Sequence, residues 1–177
     1  MRRAVFFDRD GTLNETVDRD GSPGSPRAMD ELEIVSDAPE GLQRLHDAGF
    51  VLLCATNQPE VARGLTSRTF VDSVNRCLLE ALPLDEVLVC WHDDGASCAC
   101  RKPLPGLLND AAQRLDLDLQ ASFMVGDRWR DVEAGRAAGC HSILVLRPWS
   151  EQWRCSPEFT AGSLTEACAW ILDRGTG

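Results

Sequence analysis

Two aspartates, Asp8 and Asp10, directly follow the apolar run Ala4–Phe7 and have the types and spacing that metal-assisted chemistry requires. Side chains alternate along a strand, so both carboxylates are expected to project the same way, while Arg9 points elsewhere. Gly11 then allows a sharp turn. Two carboxylates at a strand end are costly without a cation, and Mg²⁺ prefers oxygen ligands. The pair therefore predicts a magnesium site in which one carboxylate is a nucleophile and the other carries a proton.

Three later segments supply groups that phosphate chemistry needs. Thr56–Gln58 offers a hydroxyl and amide donors, and Arg101–Lys102 offers fixed positive charge. Positive charge beside a phosphate neutralises it while it is being transferred. Asp127, with Asp131 after it, places another carboxylate behind an apolar stretch, where it can hold a metal ion. Each segment alone has an ordinary structural explanation, but their joint occurrence at strand ends predicts one phosphate-handling site.

Alternating strands and helices are expected to position these groups. The predicted strands are Ala4–Phe7, Phe50–Ala55, Val87–Cys90, Phe123–Val125 and Ile143–Leu146. The predicted helices are Pro39–Ala48, Thr66–Leu82 (opened by Thr66), Pro105–Leu115, Asp131–Ala138 and Thr165–Asp173. A continuous apolar strand such as Phe50–Ala55 is typical of a parallel sheet covered on both faces. The pattern predicts a three-layer, Rossmann-like α/β fold with a mainly parallel sheet and a ligand site beyond the carboxyl ends of its strands.

Two segments have no clear pattern. Asp18–Ala28 is rich in Gly, Ser and Pro, which predicts a mobile surface loop. Arg147–Phe159 contains two of the five tryptophans and receives no assignment. Because no repeat or low-complexity linker divides the chain, we expect one domain over residues 1–177 and no large cap domain.

The composition bounds the class of protein. With 177 residues and 44% hydrophobic content, the chain can bury a substantial core. Its net charge of -10, without a basic stripe, argues against nucleic acid as a partner. No stretch approaches the length of a membrane span, and the chain starts with a strand rather than a signal peptide. We therefore expect a cytoplasmic protein that acts away from membranes. Together with the phosphate-handling segments, this predicts a small phosphorylated metabolite as the partner, and we expect a monomer.

The chain has eight cysteines and three histidines. Three of the cysteines and one histidine form a compact set: Cys90, His92, Cys98 and Cys100. Four such ligands over eleven residues suit tetrahedral zinc with no open position. The stretch Asp93–Ser97 between them has no apolar run with which to fold, so we expect zinc to hold this loop in place. In a reducing compartment the remaining cysteines are expected mostly as small apolar core residues.

The chain resembles the phosphatase branch of the haloacid dehalogenase (HAD) superfamily in four motifs: Asp8-x-Asp10-Gly11-Thr12, Thr56-Asn57, Lys102-Pro103 and Gly126-Asp127-x₃-Asp131. The resemblance covers nearly the whole chain. It implies that Asp8 attacks phosphorus to give an aspartyl-phosphate. It further implies that Asp10 protonates the leaving alkoxide and later deprotonates water, that Thr56 holds the phosphoryl oxygens, and that Lys102 balances their charge.

The same resemblance implies a ligand set for catalytic Mg²⁺. The metal would be held by Asp8, Asp127 and the backbone carbonyl of Asp10. Asp131 would orient Lys102 or a metal-bound water. These implied roles agree with the carboxylate nucleophile, general acid/base and electrostatic cradle expected from the residues themselves.

A zinc loop joined to Arg101–Lys102 is similar to a small capless branch that contains D-glycero-D-manno-heptose 1,7-bisphosphate 7-phosphatases and histidinol-phosphate phosphatases. The segments Thr56–Gly64 and Cys100–Gly106 favour the heptose enzymes. The resemblance implies hydrolysis of the C7 phosphate of the heptose bisphosphate. Because the second phosphate needs cations of its own, we expect Arg63 and Arg101 to bind the substrate, together with the amide of Asn57.

Two alternatives stay open at the level of sequence. One is hydrolysis of histidinol phosphate, and the other is a non-catalytic binding protein on a HAD fold. The heptose enzymes usually continue the first motif with an aromatic segment, whereas Asn14 is followed here by Glu15–Val17 and the chain has no tyrosine. This departure bears on the sugar and leaves the phosphatase motifs intact.

Overall fold

A six-stranded parallel sheet organises the chain in the computed structural model, which describes residues 1–175. The strands are β1 (Ala4–Phe7), β2 (Val17–Arg19), β3 (Ser22–Gly24), β4 (Val51–Asn57), β5 (Glu86–Cys90), β6 (Phe123–Gly126), β7 (His141–Val145) and β8 (Phe159–Ala161). The large sheet has the order β5-β4-β1-β6-β7-β8, and every neighbouring pair in it is parallel. The carboxyl ends of β1, β4 and β6, three adjacent strands, therefore lie at one edge.

Helices cover both faces of this sheet. They are α1 (Ala38–Asp47), α2 (Pro59–Ala62), α3 (Arg68–Ala81), α4 (Gly106–Leu115), α5 (Trp129–Ala138) and α6 (Leu164–Gly175). Val5 and Phe7 of β1 belong to the core beneath α1, α3 and α6. Phe6, between them, belongs to the core beneath α4. This alternation, with all three side chains buried, is why the strand is apolar throughout.

The expected three-layer α/β architecture is confirmed, and all of the predicted helices and strands are present with ends within a few residues. The start of α3 differs from the prediction. Ser67 is its N-cap, because the Ser67 hydroxyl accepts a hydrogen bond from the Phe70 N–H, so the prediction of Thr66 was wrong by one residue. Both residue types cap helices well, and the sequence alone does not separate them.

The prediction of an irregular loop over Asp18–Ala28 is wrong as far as Gly24, and the expected mobility of the segment stays a prediction. The antiparallel strands β2 and β3 form a hairpin in this segment, and Gly21 takes a positive φ of 82° at its turn. Arg19 pairs with Glu31 at 2.9 and 2.5 Å. Arg19 and Glu31 are 12 positions apart in the sequence. The Gly, Ser and Pro residues that predicted a loop do not indicate which distant side chains will pair with it.

The unassigned segment Arg147–Phe159 contains a short 3₁₀ helix, Gln152–Arg154, and ends where β8 begins. Three residues are too few to leave a periodic pattern in the sequence. Among the helices described over residues 1–175, none combines the length and the apolar character that crossing a bilayer requires.

Candidate active site

Asp8 and Asp127 meet because their strands are neighbours in the sheet. Asp8 directly follows β1, and its backbone N–H donates to the Val125 carbonyl of β6 at 2.9 Å. Asp127 directly follows β6 and is fully buried. Gly11 permits the approach of the two loops, since it has a φ of +90° and a Cβ there would lie 2.5 Å from Asp127 Oδ2. The glycine is thus required by both backbone conformation and space.

Lys102 forms the centre of the polar cluster. Its ammonium donates to Asp8 Oδ1 at 2.8 Å and to Asp131 Oδ1 at 2.6 Å, and the residue is 2% exposed. Burial alone would lower the pKa of Lys102, but the charges of Asp131 and Asp8 raise it above its usual value. Asn57 fixes the Lys102 backbone from the end of β4, with its amide bonded to the Lys102 carbonyl and N–H at 3.0 and 3.1 Å.

Three buried carboxylates surround this lysine. Asp8, Asp127 and Asp131 each offer an oxygen, and these oxygens lie within 4.8 Å of one another. Burial and then the charge of Asp131 raise the pKa of Asp8 to about 8 and that of Asp127 to about 6. Over residues 1–175, Lys102 is the one cationic side chain in hydrogen-bond contact with the group. Hard oxygen donors that carry more negative than positive charge fit a divalent cation such as Mg²⁺.

Asp10 has different surroundings from those of Asp8. Its carboxylate accepts hydrogen bonds from Arg9 at 3.2 Å, Asn14 at 3.1 Å, Ser25 at 3.0 Å and Gln58 at 2.8 Å. Burial alone would raise its pKa, but Arg9 and then Asn14 and Gln58 hold it below the usual value. The carboxylate is therefore kept ionised and in one orientation.

The expectation that Arg9 points away from Asp10 is wrong. The side chain is 1% exposed and turns back to pair with Asp10, while its Nη1 donates to Asn75 Oδ1 of α3 at 3.0 Å. Alternation along a strand ends with the strand, so it did not apply to the turn that follows Phe7. A long side chain such as arginine can then reach its neighbour.

Thr56 is buried at the end of β4 and accepts a hydrogen bond from the Gln58 amide at 2.9 Å. The same Gln58 nitrogen donates to Asp10, so one amide connects the Thr56 hydroxyl to the Asp10 carboxylate. The sequence motif contained Gln58, but nothing in the spacing indicated that it would reach back to Asp10.

A cavity of about 280 Å³ opens above these groups. Its cationic lining is Arg63, Arg101, Lys102, Arg128 and Arg130, and its acidic lining includes Asp8, Asp10, Glu60, Asp94 and Asp131. Arg63 and Arg101, expected from the sequence, are both here. Arg128 and Arg130 were missed, although their place beside Asp127 and before Asp131 at the start of α5 was a usable signal.

Ion pairs hold the two expected arginines. Arg63 pairs with Asp93 and, at 3.0 Å, with Asp94. Arg101 donates to Asp94 at 3.0 and 2.6 Å and to the His92 carbonyl at 3.2 Å. Both guanidinium groups are thus fixed by the loop that carries the cysteine–histidine set.

The ligating atoms of Cys90, His92, Cys98 and Cys100 lie within 4.8 Å of one another. His92 Nδ1 is 3.3 Å from Cys100 Sγ and 3.6 Å from Cys90 Sγ. Burial and the Cys90 thiol raise the pKa of Cys100 to about 12. Burial alone would raise the pKa of Cys98, but hydrogen bonds from the backbone of Arg101 and from Cys100 lower it. Three thiols and one imidazole at these distances are a donor set compatible with a zinc ion.

The other cysteines were expected to be mostly apolar core residues. Cys54, Cys140 and Cys168 are buried, whereas Cys77 and Cys155 are partly exposed. All of the cysteines are free thiols, which fits the expectation of ligands and core residues in place of disulfides.

Comparison with known proteins agrees with this geometry. Residues 99–167 match the HAD-hydrolase-like family. The chain is 36% identical over 148 residues to a D-glycero-beta-D-manno-heptose-1,7-bisphosphate 7-phosphatase of Bordetella bronchiseptica, covering 81% of this chain and 80% of that protein. It is 32% identical to the enzyme of the same name from Yersinia pestis, covering 92% of each chain.

A solved structure gives the same result for the fold. The D,D-heptose 1,7-bisphosphate phosphatase of B. bronchiseptica, crystallised with magnesium and phosphate, superposes with a TM-score of 0.79 at 28% identity, covering 97% of this chain and 99% of that one. The chain therefore belongs to the HAD-like phosphatase family that includes these heptose bisphosphate phosphatases, and it is a phosphoric monoester hydrolase.

Proposed function

We propose that this enzyme removes the C7 phosphate of D-glycero-D-manno-heptose 1,7-bisphosphate through an aspartyl-phosphate on Asp8. The observation that carries the proposal is the buried cluster in which Lys102 bridges Asp8 and Asp131 next to Asp127. The names of the relatives at 32% and 36% identity support the substrate. A binding protein would have no need of a nucleophile and a proton carrier held in separate environments.

Asp8 serves as the nucleophile in this proposal. Its carboxylate oxygen attacks phosphorus and the bond from phosphorus to the sugar oxygen breaks. Asp10, which must first take up a proton from solvent, gives that proton to the leaving alkoxide. In the second half, Asp10 takes a proton from the water that attacks the aspartyl-phosphate, which releases inorganic phosphate and restores Asp8. Arg9 and Gln58 keep the Asp10 carboxylate in place for both transfers.

The charge of the phosphoryl group is balanced by groups already in place. Lys102 stands next to Asp8 at 2.8 Å, and the Thr56 hydroxyl offers a hydrogen bond to a phosphoryl oxygen. Asp131 and Asn57 hold Lys102 at its side chain and its backbone. When bound, Mg²⁺ would be held by Asp8, Asp127 and the Asp10 carbonyl and would neutralise phosphoryl charge.

The second phosphate of the substrate requires its own cations. Arg63, Arg101, Arg128 and Arg130 all line the cavity beyond Lys102. The chain has a net charge of -10, but five cationic side chains match five acidic ones in the lining of this cavity, so the negative charge is locally offset. Arginine forms paired hydrogen bonds with phosphate oxygens, so these side chains suit the C1 phosphate.

Hydrolysis of histidinol phosphate is the second candidate, because Glu60 and Asp94 also line the cavity and a carboxylate could receive its ammonium group. Both carboxylates are already engaged. Glu60 accepts from Arg27 at 2.6 Å, and Asp94 accepts from Arg101 at 2.6 Å. Their charge is thus offset by arginines. Asp93 and Asp94 offset Arg63 and Arg101 in the same way, so the preference for the bisphosphate rests chiefly on Arg128 and Arg130, which also line the cavity.

The proposal includes a structural zinc ion held by Cys90, His92, Cys98 and Cys100. The set directly precedes Arg101 and Lys102, so the metal would fix the loop that brings both cations to the cavity. Its four protein ligands leave no open position, which suits a structural and not a catalytic ion.

The test is to follow hydrolysis of the heptose bisphosphate by ³¹P NMR, with and without Mg²⁺. We expect loss of the C7 ester signal, retention of the C1 signal and no turnover without the divalent cation. Loss of the C1 phosphate first, or equal rates with and without Mg²⁺, would contradict the proposal.

A further inference from the structure

Residues Arg147–Ser150 contact both of the loops that carry the catalytic aspartates. Arg147 Nε donates to the Gly11 carbonyl, next to Asp10, at 2.9 Å. The Ser150 hydroxyl donates to the Asp127 carbonyl at 2.6 Å, and Trp149 Nε1 donates to Asp127 Oδ2 at 2.5 Å. We name this segment the 147–150 clamp. It lies outside the four sequence motifs and in the part of the chain that received no assignment.

The indole of Trp149 makes the short hydrogen bond to the Asp127 side chain. Thr12 Oγ1 reaches the other oxygen, Oδ1, only at 3.4 Å. Arg128 Nε lies 4.0 Å from Oδ2. Because Asp127 is fully buried, no solvent competes for its orientation. Of these three side chains, Trp149 therefore constrains the plane of the carboxylate most closely.

We propose that Trp149 is a positioning residue that holds Asp127 in the orientation required to bind the catalytic Mg²⁺. The inference rests on the proposed function, in which Asp127 is a ligand of that metal. Groups that orient a ligating side chain typically change metal affinity by about 10- to 100-fold when they are removed.

The chemistry of the indole explains why tryptophan suits this place. Its N–H donates one hydrogen bond, accepts none and carries no charge. A lysine or arginine at the same distance would neutralise Asp127 and repel an incoming divalent cation. A neutral donor fixes the carboxylate and leaves its negative charge available to the metal.

The test measures metal binding directly, with Mn²⁺ as a spectroscopic substitute for Mg²⁺ and the free ion counted by electron paramagnetic resonance. Trp149→Phe keeps an aromatic ring and removes the donor. We expect its Mn²⁺ dissociation constant to rise about tenfold or more. The matched control is Trp153→Phe, since Trp153 is 83% exposed and its indole makes no described contact with Asp127. The control should bind Mn²⁺ like the wild type.

Asp127→Asn separates failure of this inference from failure of the proposed function. If Asp127→Asn loses Mn²⁺ while Trp149→Phe binds it like the wild type, the positioning role is overturned and the metal site stands. If Asp127→Asn binds Mn²⁺ normally, Asp127 is not a ligand, so the positioning role of Trp149 fails together with the ligand assignment of Asp127, while the proposed hydrolysis through Asp8 is judged separately by its own kinetic test.

A second variant tests the clamp if Trp149→Phe does not fold. Ser150→Ala removes one small hydroxyl from the same clamp. A neutral hydrogen bond contributes about 1 kcal/mol, so we expect the Mn²⁺ dissociation constant of Ser150→Ala to rise about fivefold. A Ser150→Ala enzyme with unchanged Mn²⁺ affinity, beside an unfolded Trp149→Phe, would contradict the clamp.

Discussion

Asp8 and Asp10 are the same residue type two positions apart, yet their surroundings move their pKa values in opposite directions. Burial and the nearby carboxylates raise that of Asp8, whereas Arg9 and neighbouring donors lower that of Asp10. A cation bound beside Asp8 would keep the Asp8 carboxylate ionised, so that it could attack phosphorus. The ionised Asp10 suits the step that takes a proton from water, and it must first take up a proton to act as the acid. Pairs of carboxylates separated in this way mark different catalytic roles.

Asp8→Asn should remove turnover while leaving the fold intact. An amide is too weak a nucleophile to form the covalent intermediate, so we expect kcat to fall about a thousand-fold or more. The measurement is phosphate release by purified variant and wild type at saturating Mg²⁺, with melting temperatures as the control for folding. Turnover near the wild-type rate would exclude Asp8 as the nucleophile.

Arg101→Ala should weaken binding of a bisphosphate more than that of a simple monophosphate. A charge-assisted contact contributes about 1.5–3 kcal/mol, so the KM for the bisphosphate should rise about tenfold or more. Steady-state kinetics on both substrates measure the difference, and Arg114→Ala, a surface arginine paired with Asp110 and Glu86, is the control. An equal rise for both substrates would assign Arg101 a purely structural role.

Sequence reasoning found the residues that follow strands and missed those that arrive from elsewhere. Asp8 and Asp127 were predictable because parallel strands end at one edge of a sheet. Ser25 and Trp149 reach the site from a hairpin and a loop, whose paths depend on tertiary contacts that local patterns do not record. Arg9 was misjudged because the strand's alternation stops at Phe7.

Two elements without long regular structure hold the rim of the site. The hairpin β2–β3 is tied down by Arg19 and Glu31, and Ser25 behind it donates to Asp10. The cysteine–histidine loop carries Asp93 and Asp94, which fix Arg63 and Arg101 at the cavity. The clustering of Cys90, His92, Cys98 and Cys100 in the second element could be predicted from residue spacing. The hairpin could not, because its turn residues are equally common in irregular loops.

Cys98→Ser should loosen the loop before Lys102 and lower activity indirectly. The proposed zinc ion acts on catalysis only by holding the loop that carries Arg101 and Lys102. We therefore expect both kcat and the zinc content to fall. Elemental analysis of protein purified without chelator should give about one zinc per wild-type chain, the number that one four-ligand site implies. Cys155→Ser, outside the cluster, serves as the control. Wild-type protein without zinc would contradict the assignment.

The ion pair of Arg19 and Glu31 should make the stability of the hairpin depend on pH. Hydrogen bonds from Arg19 lower the pKa of Glu31 to about 2, below its usual value of 4.5. The pair therefore stabilises the fold above about pH 4.5, and its contribution is lost as the pH falls through about 2. Melting temperatures of the wild type and Glu31→Gln should differ most at pH 5 and above and converge toward pH 2.

The matched control for this pH dependence is Glu40→Gln, which removes an exposed carboxylate from α1. Its melting temperature should follow that of the wild type across the same range. A gap between wild type and Glu31→Gln that stays constant from pH 5 to pH 2 would show that the charge of Glu31 contributes nothing.

At the scale of the whole molecule, apolar strands and amphipathic helices were enough to predict the layered fold. Runs such as Phe50–Ala55 mark strands that are buried on both faces, and this leaves few arrangements other than a parallel sheet between helices. The order of the strands required the structure, since periodicity does not report which strands pair. A monomeric state, a cytoplasmic location and a single domain stay predictions.

Side-by-side steady-state kinetics on the heptose 1,7-bisphosphate and histidinol phosphate test the central claim most directly. The cavity presents Arg63, Arg101, Arg128 and Arg130 to the part of the substrate beyond the scissile phosphate. These cations favour a second phosphate over an ammonium group, so kcat/KM for the bisphosphate should be higher by about tenfold or more. A higher kcat/KM for histidinol phosphate would contradict the proposed function.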